Sequence, residues 1–241
     1  MSQAAPRNVA RALEWDTQFF GVRIASLEAE DIAPGQWRAA LEFCRAHAVR
    51  CLYVLAAGTH DAQKALDAGA VRTDERVTLA LGQRALVAPA SRIRGAVEVD
   101  IPALRALAAR SHTDSRFYAD GHFARERCDE LYATWIEKSV RGWADAVYTS
   151  GPAGAPLCYL SLHQRETHVE IGLIAVDEAT RGQGLGRELV EAALTRAAQA
   201  GLGVRVVTQG RNAAATSLYG KCGFEVERVQ SWFHLWFDDL P

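Results

Sequence analysis

The chain has 241 residues, 49% of them hydrophobic and 23% charged, with a formal net charge of −2. That length suits one or two domains with a sizeable core, and the composition excludes a disordered or fibrous chain. Lys plus Arg (27) nearly balances Asp plus Glu (29), so there is no basic excess to hold nucleic acid by counterion release; phosphate binding at one local site stays open. No apolar run approaches ~18 residues, so no membrane span is expected. The N-terminus has no apolar core of a secretory signal. Cysteines stand at 44, 51, 128, 158 and 222, an odd number without metal-ligand spacing, which predicts buried, reduced thiols in a cytoplasmic protein and no metal site.

Residues 1–12 read as a loose end. The block EWDTQFFG, 14–21, is aromatic, and 22–27 reads as a strand. A helix is expected over 37–49, with Trp37, Ala40, Leu41 and Cys44 at helical spacing. A strand at 51–55, a helix over 60–68 stopped at Gly69 and a strand at 77–81 follow. Residues 82–96 lack a period and contain Pro89 and Gly95, so a boundary falls there. It separates a partial region, 1–84, from a second domain, 95–241. The second half opens at 97–99, and Asp100 is placed as the cap of a helix with Pro102 in its first turn. That helix ends near Arg110. The stretch SHTDSRFYADGHF is polar and aromatic without a period. A helix over 126–141 keeps Cys128, Leu131, Tyr132, Trp135, Ile136 and Val140 on one broad face.

A hairpin then joins strands at 146–149 and 157–162. A long apolar strand, 168–176, has Gly172 inside it, which suggests a bulge or a close backbone approach. The helix at 184–200, a strand at 204–207, a helix at 212–222 and a final pair of strands, 224–229 and 231–237, complete the chain. The order strand, turn, helix ending in Ala-Gly or Cys-Gly, strand occurs twice, at 52–81 and 204–237. Superposing Gly69 on Gly223 sets Ala65 opposite Tyr219. The first copy lacks a glycine-rich loop and reads as a half-copy without chemistry; chance recurrence of common α/β punctuation fits the same residues.

The chemistry concentrates in IGLIAVDEATRGQGLGRELV, 171–190. A strand runs into Arg181-Gly182-Gln183-Gly184-Leu185-Gly186 and then a helix. Glycines let a backbone approach a bulky anion, and the free N–H groups of a first helical turn bind phosphate oxygens. The dinucleotide fingerprint fails because position 187 is Arg, and the Gly-Lys-Ser/Thr of a P-loop is absent. An ordinary strand–helix turn would also contain glycines. Here the strand, Arg, glycines and helix are all in place, which favours an anion site.

Arg-x-x-Gly-x-Gly after this strand resembles the pyrophosphate loop of the GCN5-related N-acetyltransferases. So does the downstream pattern: Asn212 at a helix start, Tyr219 near its end, then Gly223-Phe224. The blocks EWDTQFFGV, DIPALRALA, SRF and YATWIEKSVRG narrow the resemblance to bacterial N-acetyltransferases of dTDP-linked 4-amino-4,6-dideoxygalactose. The resemblance implies an α/β fold of this superfamily, a mixed central sheet flanked by helices, preceded by a degenerate half-copy. It implies acetyl-CoA as donor, held by Ile174, Ala175, Val176, Arg181, Gly182, Gln183, Gly184, Leu185, Gly186, Arg187, Asn212, Ala215 and Leu218, with Tyr219 as general acid. Arg116, Phe117, Tyr118 and His122 fall where the acceptor, a nucleotide-linked amino sugar, would be covered; a surface loop anchored by aromatics fits them equally. Tyr118 to Arg127 match no family block. The base is unreadable among Asp74, Glu75, His163, His168 and Glu170. A homodimer follows from the resemblance and from the aromatic final strand, whose two apolar faces exceed what an exposed edge should show. Other amine acceptors, protein amines or antibiotics among them, and a non-catalytic acetyl-CoA sensor share the glycine loop.

Overall fold

The computed structural model describes residues 10–29, 32–84 and 92–237. The start of the expected loose end and most of the aperiodic boundary, Pro89 included, lie outside the described residues. The chain forms two compact units. The described residues within 1–76, 119–123 and 229–241 form one, and those within 77–118 and 124–228 the other.

The first unit begins with β1 (Arg11–Ala12), α1 (Glu14–Phe20) and β2 (Ile24–Ala29). The aromatic block 14–21 is thus a helix, with Trp15 and Phe19 stacked one turn apart at 5.0 Å and Gly21 closing it in the left-handed region. Next come α2 (Pro34–Ala46), β3 (Cys51–Ala56), α3 (Thr59–Asp67) and β4 (Val71–Leu81), the last starting six residues earlier than expected. The strand order in this unit is β1-β2-β3-β10-β4, where β10 is Glu225–Trp236. β2 and β3 are parallel, and β10 runs antiparallel to β3 from Ser231↔Ala56 to Trp236↔Cys51. All six residues of β3 are buried, as a strand covered on both faces requires. Leu52 and Val54 pack with Ala40 and Cys44 of α2, Ala65 of α3 and Phe233 and Leu235 of β10. The final segment is therefore one strand and not a pair, and its 231–236 half is paired with β3 rather than an exposed edge, so the edge argument for a homodimer loses its premise. Its first residues are exposed and its last ones buried. That change of polarity within one strand looks like a break in the sequence.

On the other face of β3, Tyr53 stacks on His234 at 4.5 Å and Phe20 meets Phe123 at 4.3 Å. Buried Asp120 accepts from His234 Nδ1 at 2.6 Å, Trp236 Nε1 at 2.9 Å and His122 Nδ1 at 2.8 Å. Burial alone would raise the Asp120 carboxyl; these donors outweigh it and hold the group well below the usual carboxylate range.

The second unit holds the end of β4, β5 (Ile93–Gly95), α4 (Ile101–Ser111), α5 (Arg116–Ala119) and α6 (Arg125–Lys138). Then come β6 (Ala146–Ser150), β7 (Cys158–Gln164), β8 (His168–Val176), α7 (Leu185–Gln199), β9 (Gly203–Gln209) and α8 (Ala213–Lys221). The strand order is β4-β9-β8-β7-β6-β5. Only β8–β9 among the recorded ladders here is parallel; β5–β6, β6–β7 and β7–β8 are antiparallel. Leu185, Leu189, Val190 and Ala193 of α7 pack on Leu160 and Leu162 of β7 and on Val204 and Val206 of β9. Tyr159 and Ser161 alternate with those leucines and face the other way.

Asp100 closes a short 3-10 turn before α4 and does not cap that helix through its side chain. Its carboxylate instead takes a bidentate Arg94 at 2.7 and 2.9 Å and the N–H groups of Val97 and Gly154. Those bonds, Arg94 first, hold it at about 2. Gly142, in left-handed backbone, ends a π-turn over 139–143 where the helix was expected to continue. The five cysteines are free, four of them buried. No helix of the described residues is long and apolar enough to cross a membrane, and no group of three or more His, Cys, Asp or Glu among them could hold a metal ion.

Candidate active site

A single register shift prepares the site. Leu162 pairs with Ile171 but Leu160 pairs with Ile174, so β8 carries one residue more than β7 at Gly172-Leu173. The bulge resets the alternation: Val169 and Ile171, then Ile174 and Val176, all face α7. Gly172 is needed there because a Cβ would stand 3.0 Å from both the His163 ring and Ser161 Oγ. The displaced Leu173 N–H donates to Ser161 Oγ at 2.9 Å. Beyond the bulge β8 leaves β9. Their ladder runs from His168↔Gly203 to Ile171↔Val206, while β7 accompanies β8 to Val176.

Where β8 parts from β9 a cavity of about 590 Å³ opens. Ile174, Ala175 and Val176 form one wall; Asn212, Ala215, Leu218 and Tyr219 line it from α8. The glycine loop closes one end with Arg181, Gly182, Gly184, Leu185, Gly186 and Arg187. Gly184 is the N-cap of α7, at φ +84°, with no side-chain cap. The first N–H groups of α7 are thus left uncapped by any side chain, beside Arg181, Arg187 and Lys221. Hydrogen bonding, macrodipole and charge together make this end chemically suited to an anion.

Buttresses outside the cavity fix the loop. Arg92 donates to the Gln183 carbonyl at 2.9 Å and to Glu188 of α7. Gln183 itself is absent from the cavity wall. Asp177 caps the turn after β8 by accepting from Ala179 N–H at 3.0 Å. Arg110 of α4 grips its other oxygen at 2.6 Å, and these two donors, Ala179 first, lower the Asp177 carboxyl. Neither arginine was readable as a site residue: Arg92 sits in the aperiodic boundary and Arg110 ends an ordinary helix.

Asn212 Oδ1 accepts from Ala215 N–H at 3.0 Å, which starts α8. Seven residues on, Tyr219 packs against Phe224 at 5.5 Å with 1% of its surface exposed. Its residue lines the cavity, and burial pushes the phenol above its usual range. The group is therefore a protonated donor throughout the physiological pH range.

The acceptor candidates lie elsewhere. Arg116 stacks over Phe117 at 4.4 Å, but Phe117 is buried against the edge of Trp135. Its ring belongs to the packing and offers no face to a nucleobase. Tyr118 is half-buried and donates to Asp129 at 2.6 Å; burial, then Asp129, raise its phenol. His122 belongs to the first unit, stacked on Trp236 at 4.3 Å. None of the four lines the cavity. Nor do the base candidates. Glu170 pairs with Arg165 at 3.0 Å, His168 bonds Thr167, and His163 meets the Trp143 ring at 5.1 Å. In the first unit, Glu75 pairs with Arg72, and buried Asp74 accepts from the Glu75 N–H. Ser111, Asp114, Thr180, Ala214 and Lys221 also line the cavity; Ser111 and Asp114 come from a stretch without a period, which gives no signal of a site.

Comparison with known proteins agrees with this geometry. The model of the acetyltransferase (GNAT) family matches residues 102–224, from α4 to the end of α8. The dTDP-fucosamine acetyltransferase of Escherichia coli O6:H1 is 33% identical over 232 residues, 92% of this chain and 96% of that protein. Spore coat polysaccharide biosynthesis protein SpsD of Bacillus subtilis is 27% identical over 57% of this chain and 48% of its own. A GCN5-related N-acetyltransferase from Sphaerobacter thermophilus shares the fold, with a TM-score of 0.58 at 15% identity over 94% of this chain and 76% of that one. The α/β fold, the family match and the near full-length relative agree: the chain is an acetyltransferase and belongs to the GNAT family.

Proposed function

We propose that the chain moves an acetyl group from acetyl-CoA to the 4-amino group of a nucleotide-linked 4-amino-4,6-dideoxyhexose, with dTDP-fucosamine as the acceptor, for cell-surface polysaccharide synthesis. The family uses acetyl-CoA as acetyl donor. The observation that carries the acceptor is the 33% identity, end to end, with a dTDP-fucosamine acetyltransferase. The cavity suits the donor. The uncapped start of α7 and Arg181 take the diphosphate, and the thioester arm lies along 174–176 and Leu218. A backbone N–H of 174–176, freed where β8 leaves β9, stabilises the oxyanion. Tyr219 returns a proton to the leaving thiolate. Arg116 and Tyr118, both half-buried, are the groups of the second unit that would meet a sugar nucleotide; Phe117 would act only through their packing.

The deciding experiment compares kcat/KM for dTDP-linked 4-amino sugars, UDP-linked 4-amino sugars, aminoglycosides and a Lys peptide. Preference for dTDP-fucosamine is expected. Preference for either of the last two overturns the sugar-nucleotide acceptor. The resemblance also carries the cytoplasmic homodimer, for which light scattering at micromolar concentration is the check.

A further inference from the structure

We infer that Asp114 is the group that takes the proton from the acceptor amine, an assignment that rests on the acetyl-transfer function proposed above. Among the described residues lining the cavity, the ionisable groups are Asp114, Arg181, Arg187, Lys221 and Tyr219. Three cations match the phosphates of the donor, and Tyr219 is a proton donor. Asp114 is the one carboxylate. An amine acceptor arrives as a cation at neutral pH and attacks only after losing a proton, so the cavity has one group of the required charge.

The segment that carries Asp114 is tied to the strand along which the thioester would lie. Arg110 grips Asp177 at 2.6 Å, one residue past Val176. His112 Nε2 and the Tyr159 hydroxyl share a hydrogen bond of 2.6 Å, and Tyr159 is the ladder partner of Ala175. His112 also stacks on Tyr132 of α6 at 4.5 Å. Burial lowers His112 to about 4, so its ring is a neutral strut near pH 7. Ser111 and Asp114, on either side of this strut, both line the cavity. Ser111 spends its hydroxyl on the Leu107 carbonyl at 2.6 Å. Asp114 is exposed and has no hydrogen bond or ion pair to a described residue, so its oxygens remain available to a ligand.

The step balances. The amine N–H proton passes to the Asp114 carboxylate, directly or through one water, and from there to solvent. The amine lone pair forms the C–N bond to the thioester carbon. As the C–S bond breaks, its electron pair leaves on sulfur, which takes the Tyr219 proton; the second N–H proton leaves the nitrogen as the amide forms and, through solvent, restores the Tyr219 phenol. The sum is an ammonium ion and a thioester giving an amide, a thiol and one proton released.

The test measures kcat/KM for dTDP-linked 4-amino-4,6-dideoxygalactose from pH 6 to 9 in wild type, Asp114→Asn and Asp114→Glu, with calorimetric affinity for acetyl-CoA beside it. Asp114→Asn is expected to lose on the order of 10²-fold in kcat/KM near pH 7, with acetyl-CoA affinity unchanged. Its log kcat/KM should climb by one per pH unit toward the amine's own pKa, because only amine already neutral in solution then reacts; wild type should stay flatter. Asp114→Glu should recover part of the loss. Equal rates and parallel pH profiles in wild type and Asp114→Asn overturn the assignment, as does a loss accounted for wholly by weaker acetyl-CoA binding. Wild type that binds acetyl-CoA yet acetylates no amine overturns the proposed function, and this step with it.

Discussion

The parallel pair β2–β3 stays in register from Ile24↔Cys51 to Ala29↔Ala56, whereas β8–β9 is paired only from His168↔Gly203 to Ile171↔Val206. In each pair both strands are followed by a helix: α2 and α3 follow β2 and β3, and α7 and α8 follow β8 and β9. What differs is where the strands stop cooperating. The bulge at Gly172 takes β8 away from β9 and makes room for a ligand; β2 has no such departure. The helix starts differ in the same sense. In α2, Pro34 removes a donor, Gln36 Oε1 takes the Ala33 N–H at 2.9 Å, and buried Asp61 takes the Ile32 N–H on both oxygens at 3.2 Å. A carboxylate of the chain thus stands just before α2, whereas the start of α7 has no side-chain cap. With Gly69 set on Gly223 in the sequence, Ala65 is the counterpart of Tyr219, and both are buried. The same order of strands and helices has a side-chain acceptor before the helix in one unit and an uncapped helix start in the other.

Removing the phenol that only the open copy has should have the largest effect. Tyr219→Phe keeps the ring against Phe224 and loses the proton donor, so kcat should fall on the order of 10²–10⁴-fold with acetyl-CoA affinity little changed. Rapid-mix kinetics and calorimetry on one preparation would measure both. An unaltered kcat would make Tyr219 a packing residue like Ala65.

Next in size is closing the open helix start by charge. Gly184→Asp puts a side chain at φ +84°, where the nearest atom to its Cβ is Arg92 Nη2 at 3.5 Å, and sets a negative charge at the diphosphate. Acetyl-CoA should bind at least about tenfold more weakly by calorimetry. Gly184→Ala separates backbone strain from charge, since it shares only the strain.

The closed copy can be broken in turn. Asp61 is buried, and Lys64 donates both to it at 3.4 Å and to the Ile32 carbonyl. Asp61→Ala leaves a buried N–H and a partly buried ammonium short of an acceptor, a loss of about 2 kcal/mol. Denaturant unfolding should show that loss, with acetyl-CoA affinity unmoved. A fall in affinity as large as that in stability would mean that the closed copy takes part in donor binding.

Much of the open copy was legible because its features are local. The strand 168–176 has the bounds the sequence suggested, Gly172 marks the bulge, and the glycine loop and the Asn212 cap stand where their spacing placed them. Long-range pairing hid the rest. Asp100 looks like a helix cap, but Arg94 outbids the helix for its carboxylate. Asp61 falls in the expected helix 60–68, where nothing local marks it as the acceptor of the Ile32 N–H. Phe117 reads as a platform beside Arg116, yet α6 covers it. Asp114 lay in a stretch whose only signal was the absence of a period. The end of the chain misled because β10 is solvated over one half and buried over the other.

The smallest expected effect gives the closed copy a device of the open one. α8 begins on Asn212, whose side chain caps it, whereas α3 begins on Gly58, whose extended backbone at φ −138° and ψ 170° offers no side chain. A Cβ at Gly58 meets nothing within 4 Å. Gly58→Ser can therefore adopt the native backbone without strain and turn its hydroxyl to the N–H of His60 or Asp61. Replacing glycine also narrows the unfolded ensemble, for about 0.4–1 kcal/mol, and the cap adds a few tenths. For a chain of this size that raises Tm by roughly 1–4 °C. The matching loss, Asn212→Ala, should cost about 1 kcal/mol. If Gly58→Ser left Tm unchanged or lowered it, the start of α3 would already be saturated by contacts of its own, and the likeness between the two helix starts would end at their position in the chain.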